Sequence, residues 1–287
     1  KRMKKIGFID YFIDEWHASL YPTLIREGAY KDRFDVAMAW AKIRPDGKKS
    51  LAEWCEEKNV RQAESIKEVV DACDCLVVLS PDNPEQHEEL ADLPLRSGKI
   101  VYIDKPISPT LTGAVALFEK AEKHGTAVMS SSALRYGSAF DTGLKSTFAG
   151  KRVHHVSTRG NGSLSIYAIH QVEMIVAAMG TGASRVMHCG SPDIQHIIID
   201  YVDGRRSSFT LMAGQPLQAS ISYGENEALI INEITDHYPG FVNAMLEFFD
   251  TGIPSASMEE TLEIAAILEA GVKALELPDR WVTLPSY

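Results

Sequence analysis

Between Lys5 and Ser131 the chain alternates short apolar runs with stretches of helical periodicity, and this rhythm narrows its possible folds to layered α/β sheets. Lys5–Ile9, Phe34–Trp40, Cys75–Ser80, Lys99–Ile103 and Ala127–Ser131 read as strands. The stretches between them predict helices over Tyr21–Glu27, Leu51–Lys58, Ser65–Asp71, Pro84–Leu95 and Thr110–His124. Ser50 and Glu53 have capping-box spacing, and Gly125 supplies the left-handed residue that closes a helix. Strands separated by helices imply a Rossmann-type, doubly wound parallel sheet covered on both faces. Such sheets bind ligands beyond the carboxyl ends of their strands. Here those ends are Asp10–His17, Ser80–His87 and Asp104–Pro109. The candidate cofactor contacts are therefore Asp10, Tyr11, Phe12, Ser80, Pro81, Asp104 and Lys105, with Lys42 after the second strand.

After Ser131 the pattern changes. Val153–Arg159, Arg185–Cys189, His196–Tyr201, Ser207–Ala213 and Gln218–Ser222 predict strands separated by turn signals such as Val202-Asp203-Gly204. Ile169–Met179 and Gly240–Asp250 predict embedded helices, and Met258–Leu275 carries Ala, Ile and Leu at helical spacing. The expectation is two domains, 1–130 of Rossmann type and 131–287 of α+β type with a large, open, mainly antiparallel sheet. The last helix is free to pack back on the first domain. An open sheet face exposes apolar surface unless another chain covers it, so a homodimer through that sheet is expected.

Charge and composition exclude some classes. A formal net charge of −10 argues against nucleic acid, whose phosphates need a basic face. No apolar run reaches the ~18 residues of a membrane span. The opening Lys-Arg-Met-Lys-Lys leads into a strand and not into the apolar segment of a secretory leader, so the cytoplasm is the expected location. Cys55, Cys73, Cys75 and Cys189 form no CxxC pair and no His/Cys cluster has zinc spacing, so no metal is assigned. Cys73 and Cys75 read as buried structural thiols, which fits a reducing compartment.

The segment Gly98–Ser108, containing Tyr102-Ile103-Asp104-Lys105-Pro106, resembles the Glu-Lys-Pro strand end of the glucose–fructose oxidoreductase, inositol dehydrogenase and rhizopine-catabolism family (Gfo/Idh/MocA), with Asp in place of Glu. Four further landmarks follow that family in order. They are Leu79-Ser80-Pro81 through His87; Leu134-Arg135-Tyr136; the glycine-led helix from Gly162 to Gly180; and the closing helices around Phe241–Phe249 and Met258–Leu275. The resemblance implies hydride transfer between NAD(P) and a sugar, sugar acid or cyclitol. It makes Lys105 the group that hydrogen-bonds the reacting oxygen and His170 a proton carrier. By the same likeness the substrate contacts are Lys105, Arg135, Tyr136, His170, Glu173 and, from the first strand end, His17.

The chain also departs from that pattern. The family's aspartate position falls on Ile166, which accepts no proton; Tyr167 could supply a phenol instead, or pack. A Rossmann phosphate loop needs glycines after its first strand. Here Gly7 lies inside the strand, and Asp10-Tyr11-Phe12-Ile13-Asp14-Glu15-Trp16-His17 follows, with no glycine until Gly28. Two like charges ~4 Å apart cost about 1 kcal/mol even in water, so a pyrophosphate set against Asp10, Asp14 and Glu15 meets repulsion. Those acids and His17 leave three readings open: a divalent metal, sugar hydroxyls, or a helix cap, with capping favoured for Asp14 and Glu15. No acid ends the second strand to hold a ribose; Lys42 and Arg44 could face a 2′-phosphate or simply be solvated. Three functions are compatible: an NAD(P)-dependent oxidoreductase with a degenerate nucleotide site; a non-redox lyase, hydratase or epimerase using Lys105 and His170; and a non-catalytic sugar-binding protein.

Overall fold

The computed structural model describes residues 2–286. Its first unit takes in the chain up to Pro109, then Gly113–Ser131 and Val242–Ser255. The elements run β1 (Lys4–Asp10), α1 (Trp16–Glu27), β2 (Phe34–Ala41), α2 (Leu51–Lys58), β3 (Arg61–Gln62), α3 (Ile66–Ala72), β4 (Cys75–Val78), α4 (His87–Leu90), α5 (Asp92–Arg96), β5 (Ile100–Ile103), α6 (Leu111–Lys123) and β6 (Val128–Met129). The sheet order is β3-β2-β1-β4-β5-β6, with every pairing parallel. The strand order thus reverses between β1 and β4, where ligands of such sheets bind.

Burial on both faces explains the uninterrupted apolar strands: Ile6, Phe8 and Ile9 of β1 and all of β4 are buried. Gly7 is a packing residue, since a Cβ there would fall 2.3 Å from Val69 Cγ1 on α3. The Ser50–Glu53 capping box forms as expected, and Asn59 closes α2 in the left-handed region. The helix expected over Pro84–Leu95 is instead broken into a 3-10 turn, α4 and α5. Pro94 explains part of this, because it has no N–H to donate to the carbonyl four residues earlier. Cys55, Cys73 and Cys75 are buried, and burial pushes their thiols up to about 11, 11 and 12.

The second unit holds Thr110–Thr112, Ser132–Phe241 and the chain from Ala256 on. It contains α7 (Ser138–Thr142), β7 (Val153–Gly160), α8 (Leu164–Met179), β8 (Ala183–His188), β9 (Ile194–Tyr201), β10 (Arg206–Met212), β11 (Gln218–Tyr223) and β12 (Glu227–Ile231). Then come α9 (His237–Thr251), of which the part from Val242 on counts with the first unit, α10 (Met258–Leu275) and β13 (Trp281–Thr283). The seven strands lie in the order β12-β11-β7-β10-β9-β8-β13, antiparallel except for the β7–β10 pair.

One face of this sheet packs under α8 and α10, with Val172, Ile175, Ile197, Ile199, Ile221 and Ile267 in its core. The closing helix α10 is therefore an element of the second unit, set beside α8 by its apolar face. Val242–Ser255 belongs to the first unit because its aromatics find partners there: the Phe249 ring lies 6.4 Å from Phe34, and Lys4 Nζ donates to its carbonyl at 3.0 Å. The edge strands β12 and β13 went unread in the sequence. Among the described residues no helix is long and apolar enough to cross a membrane.

The Gly7 contact has a measurable consequence. Gly7→Ala should destabilise the protein by about 1–3 kcal/mol through overpacking against Val69. Urea denaturation checks this; an unchanged midpoint would contradict the packing assigned to β1 and α3.

Candidate functional site

Two clusters of functional side chains stand out, one in each unit. In the first unit the chain leaves β1 at Asp10, passes the bulky Tyr11-Phe12-Ile13 loop and enters α1 at Glu15. Glu15 is the N-cap: its carboxylate accepts the amides of His17 at 2.6 Å and Ala18 at 2.5 Å. These are the amides that a Rossmann loop offers to a pyrophosphate. Asp14 does not cap the helix; it accepts the Lys49 amide at 2.9 Å. Capping thus accounts for Glu15 and not for Asp14.

His17, on the first turn of α1, meets the end of β5. Its Nδ1 lies 2.6 Å from Asp104 Oδ2, and its ring stacks on Tyr21 at 5.2 Å. Asp104 also accepts the Lys105 amide at 2.8 Å and is completely buried. Burial opposes both charges. The pairing nevertheless holds the His17 imidazolium above its usual range and the Asp104 carboxyl below its own, with Lys105 reinforcing the latter. Asp10 is also fully buried; Oδ1 accepts the Tyr11 amide at 2.7 Å and Oδ2 has no hydrogen-bond partner. Burial drives the Asp10 and Glu15 carboxyls well above the normal range, with added repulsion from Asp104 on Asp10 and from Asp10 on Glu15.

Lys105 follows at a cis peptide to Pro106. It is buried to 7% exposure, and its Nζ makes no hydrogen bond or ion pair among the described residues. The turn that carries it is pinned from behind by His87, whose Nδ1 and Nε2 lie 3.0 Å from the Ile107 carbonyl and 2.8 Å from the Leu79 carbonyl. Beside it, Ser80 sits in the left-handed region at φ +83°, costing on the order of 1 kcal/mol, and donates its hydroxyl to Asn83 O at 3.0 Å. Pro81 follows, half-buried. The cations after β2 are engaged with protein groups. Lys42 Nζ reaches Glu89 at 2.6 Å and Gln86 at 3.1 Å above the Tyr11 ring, and Arg44 donates to the Lys48 carbonyl at 2.9 Å. The acids of this loop do not converge as metal ligands; among the described residues no group of three His, Cys, Asp or Glu is placed to hold an ion.

In the second unit, α8 carries His170, whose Nδ1 lies 2.8 Å from Ser132 Oγ. Tyr167, one turn earlier, has its ring 6.1 Å from the His170 ring. Gly162 makes room for it: φ is +97°, and a Cβ there would fall 2.1 Å from Tyr167 Cδ2. Ile166 is exposed. Arg135 and Glu173, both expected to meet substrate, are buried and form an ion pair at 2.8 Å, with Glu260 3.5 Å from the same guanidinium. Burial disfavours the guanidinium charge, and Glu173 chiefly restores it. Tyr136 is buried against Phe241, ring centroids 5.9 Å apart.

Tyr167 and His170 line a cavity of about 170 Å³ together with Asn161, Gln171, Gln215 and His237. Sequence reasoning named none of these last four, nor Ser132. The only signal was their polarity: Gln171 follows His170 on a face otherwise apolar, and Asn161 precedes Gly162.

A parallel Rossmann-type sheet is followed by an open mixed sheet, and both parts have counterparts among known proteins. Residues 26–132 match the family described as "Oxidoreductase family, NAD-binding Rossmann fold" (Gfo/Idh/MocA). The "Uncharacterized oxidoreductase YhhX" of Escherichia coli K12 is 34% identical over 86 residues, which are 30% of this chain and a quarter (25%) of that protein. A probable dehydrogenase from Thermotoga maritima superposes with TM-score 0.82 at 16% identity, covering 97% of this chain and 98% of the other. A putative myo-inositol dehydrogenase from Sinorhizobium meliloti 1021 does so with TM-score 0.79 at 13% identity, covering 99% and 100%. These two likenesses show the shared fold. The likeness to the Gfo/Idh/MocA oxidoreductase family is carried by residues 26–132.

The buried charges make stability depend on pH with a definite sign. His17, Asp10 and Glu15 all have folded pKa values raised above their unfolded ones. Each therefore contributes most below its unfolded value and loses that contribution as pH rises through the folded one. Asp104 is lowered, so its contribution is present above the ordinary carboxylate range and is lost as pH falls through its folded value. Thermal stability should fall as pH is raised from 6 to 8, and Asp104→Asn should bring the His17 titration, followed by NMR, to lower pH. A His17 titration unmoved in Asp104→Asn would refute the pairing.

Proposed function

We propose that this chain acts on a carbonyl-bearing sugar derivative by acid–base chemistry, with its dinucleotide seat closed by its own side chains. The observation that carries this reading is Glu15, whose carboxylate takes the α1 amides a pyrophosphate would need. Three acidic side chains, Asp10, Glu15 and Asp104, surround that point, and no glycine lets the backbone approach a phosphate. Lys42 and Arg44 are bound to protein groups. These residues do not fit NAD(P) at this seat.

The chemistry assigned to the chain's own residues is proton transfer beside a carbonyl. In the first unit Lys105, buried and with no acceptor for its Nζ among the described residues, is the candidate cation for a developing oxyanion. In the second unit His170, oriented by Ser132, would take a proton from the carbon beside a substrate carbonyl, the C–H electron pair forming the new C=C bond and the carbonyl π pair moving onto oxygen. Return of the proton to the other face gives epimerisation; loss of a β-hydroxyl as water gives elimination. Tyr167 is positioned beside His170 to serve as a second proton donor. Hydride exchange with NAD(P) is the competing reading, and the description of the matched family as NAD-binding favours it.

The test is turnover of aldoses and ketoses without added nicotinamide. Lys105→Ala and His170→Ala should each lower kcat by about a hundredfold or more while the fold persists. Turnover that strictly requires NAD(P) would overturn the proposal. For the assembly, a homodimer through the open sheet is proposed, since Ile230 on β12, together with Ser157, Thr210 and Met212, lines a hollow of about 430 Å³ on it. Light scattering at micromolar concentration should give twice the chain mass; a monomer would refute the dimer.

A further inference from the structure

Resting on the reading of the second unit as the carbohydrate-bearing part, we infer that the cavity at Tyr167 and His170 selects an uncharged, hydroxyl-bearing ring and rejects sugar acids and sugar phosphates. Its polar lining is Asn161, Tyr167, His170, Gln171, Gln215 and His237, and the rest is aliphatic. Among the described residues no Lys, Arg, Asp or Glu lines it. Burying a carboxylate or phosphate against such a wall would leave its charge without a counter-ion.

The hydrogen-bonding capacity of the wall is mixed, which is what a hydroxyl group matches because it donates and accepts at once. Gln171 is 1% exposed; its Nε2 donates to the Thr210 carbonyl at 3.0 Å, and its Oε1 has no hydrogen-bond partner. His237 Nδ1 is likewise buried and unpartnered. Unsatisfied buried polar atoms are rare, and both of these belong to residues that line the cavity. Asn161 uses Oδ1 to accept the Gly214 amide at 2.8 Å, and Gln215 uses Oε1 to accept from Arg159 at 3.1 Å. Both amides therefore have their NH₂ groups to offer. A carboxylate, able only to accept, would meet the Gln171 Oε1 acceptor with nothing to donate. Half-exposed Tyr167, seated over Gly162, supplies an aromatic face for the C–H face of a ring.

The experiment is equilibrium binding by calorimetry on the full chain, with D-glucose and myo-inositol against D-glucuronate and D-glucose 6-phosphate. At least one neutral ligand should bind, with each charged one at least about tenfold weaker. Gln171→Leu should weaken the neutral ligand by about tenfold. Asn161→Ala, at an exposed position, should do so with an unchanged melting temperature and guards against a misfolded Gln171 variant. Charged sugars binding as tightly as neutral ones, no binding by any of the four, or full affinity in both variants would overturn the inference. Because binding is read and not turnover, a neutral sugar that binds but never reacts sinks the proposed function alone.

Discussion

The buried contact between His17 and Asp104 joins the first turn of α1 to the end of β5 over the point where the strand order reverses. Much of the first unit's functional end depends on it. It holds α1 over the sheet and keeps a carboxylate charged where exposure is zero. It also sets Asp104 to accept the Lys105 amide. Breaking such a pair by removing one partner is costly because the other charge stays buried. The same contact explains the bulky residues of the loop. With the helix N-terminus satisfied by Glu15 and the helix tied down by His17, glycines are not needed there, and Tyr11, Phe12 and Ile13 occupy the loop.

The second unit solves a different problem with the same kind of pair. Arg135, Glu173 and Glu260 place a buried ionic knot between the segment after β6, α8 and the start of α10. That knot leaves the Tyr167–His170 face of α8 to be lined by neutral amides and imidazoles. The ionic groups thus sit together behind the helix, and among the described residues no Lys, Arg, Asp or Glu lines the cavity.

The parallel sheet was legible because strands covered on both faces must be apolar throughout, and Ile6 through Ile9 and Cys75 through Val78 obey that rule. The capping box at Ser50 was legible because it depends on local spacing alone. Local spacing does not reveal partners distant in sequence. His17 and Asp104 are 87 residues apart, so the pairing that gives each its role left no local trace. Arg135 and Glu173 were read as substrate groups because their polarity was visible and their mutual burial was not. Gln171 was overlooked for the opposite reason, being one polar residue on an apolar helix. The edge strands β12 and β13 are short and half-exposed, and carry too little alternation to stand out.

The functional end of the first unit turns on whether Glu15 has replaced the pyrophosphate. Calorimetric titration of the full chain with NADH and NADPH tests this most directly. With Glu15 on the α1 amides, no saturable heat is expected at millimolar cofactor; a 1:1 isotherm in the micromolar range would contradict that replacement.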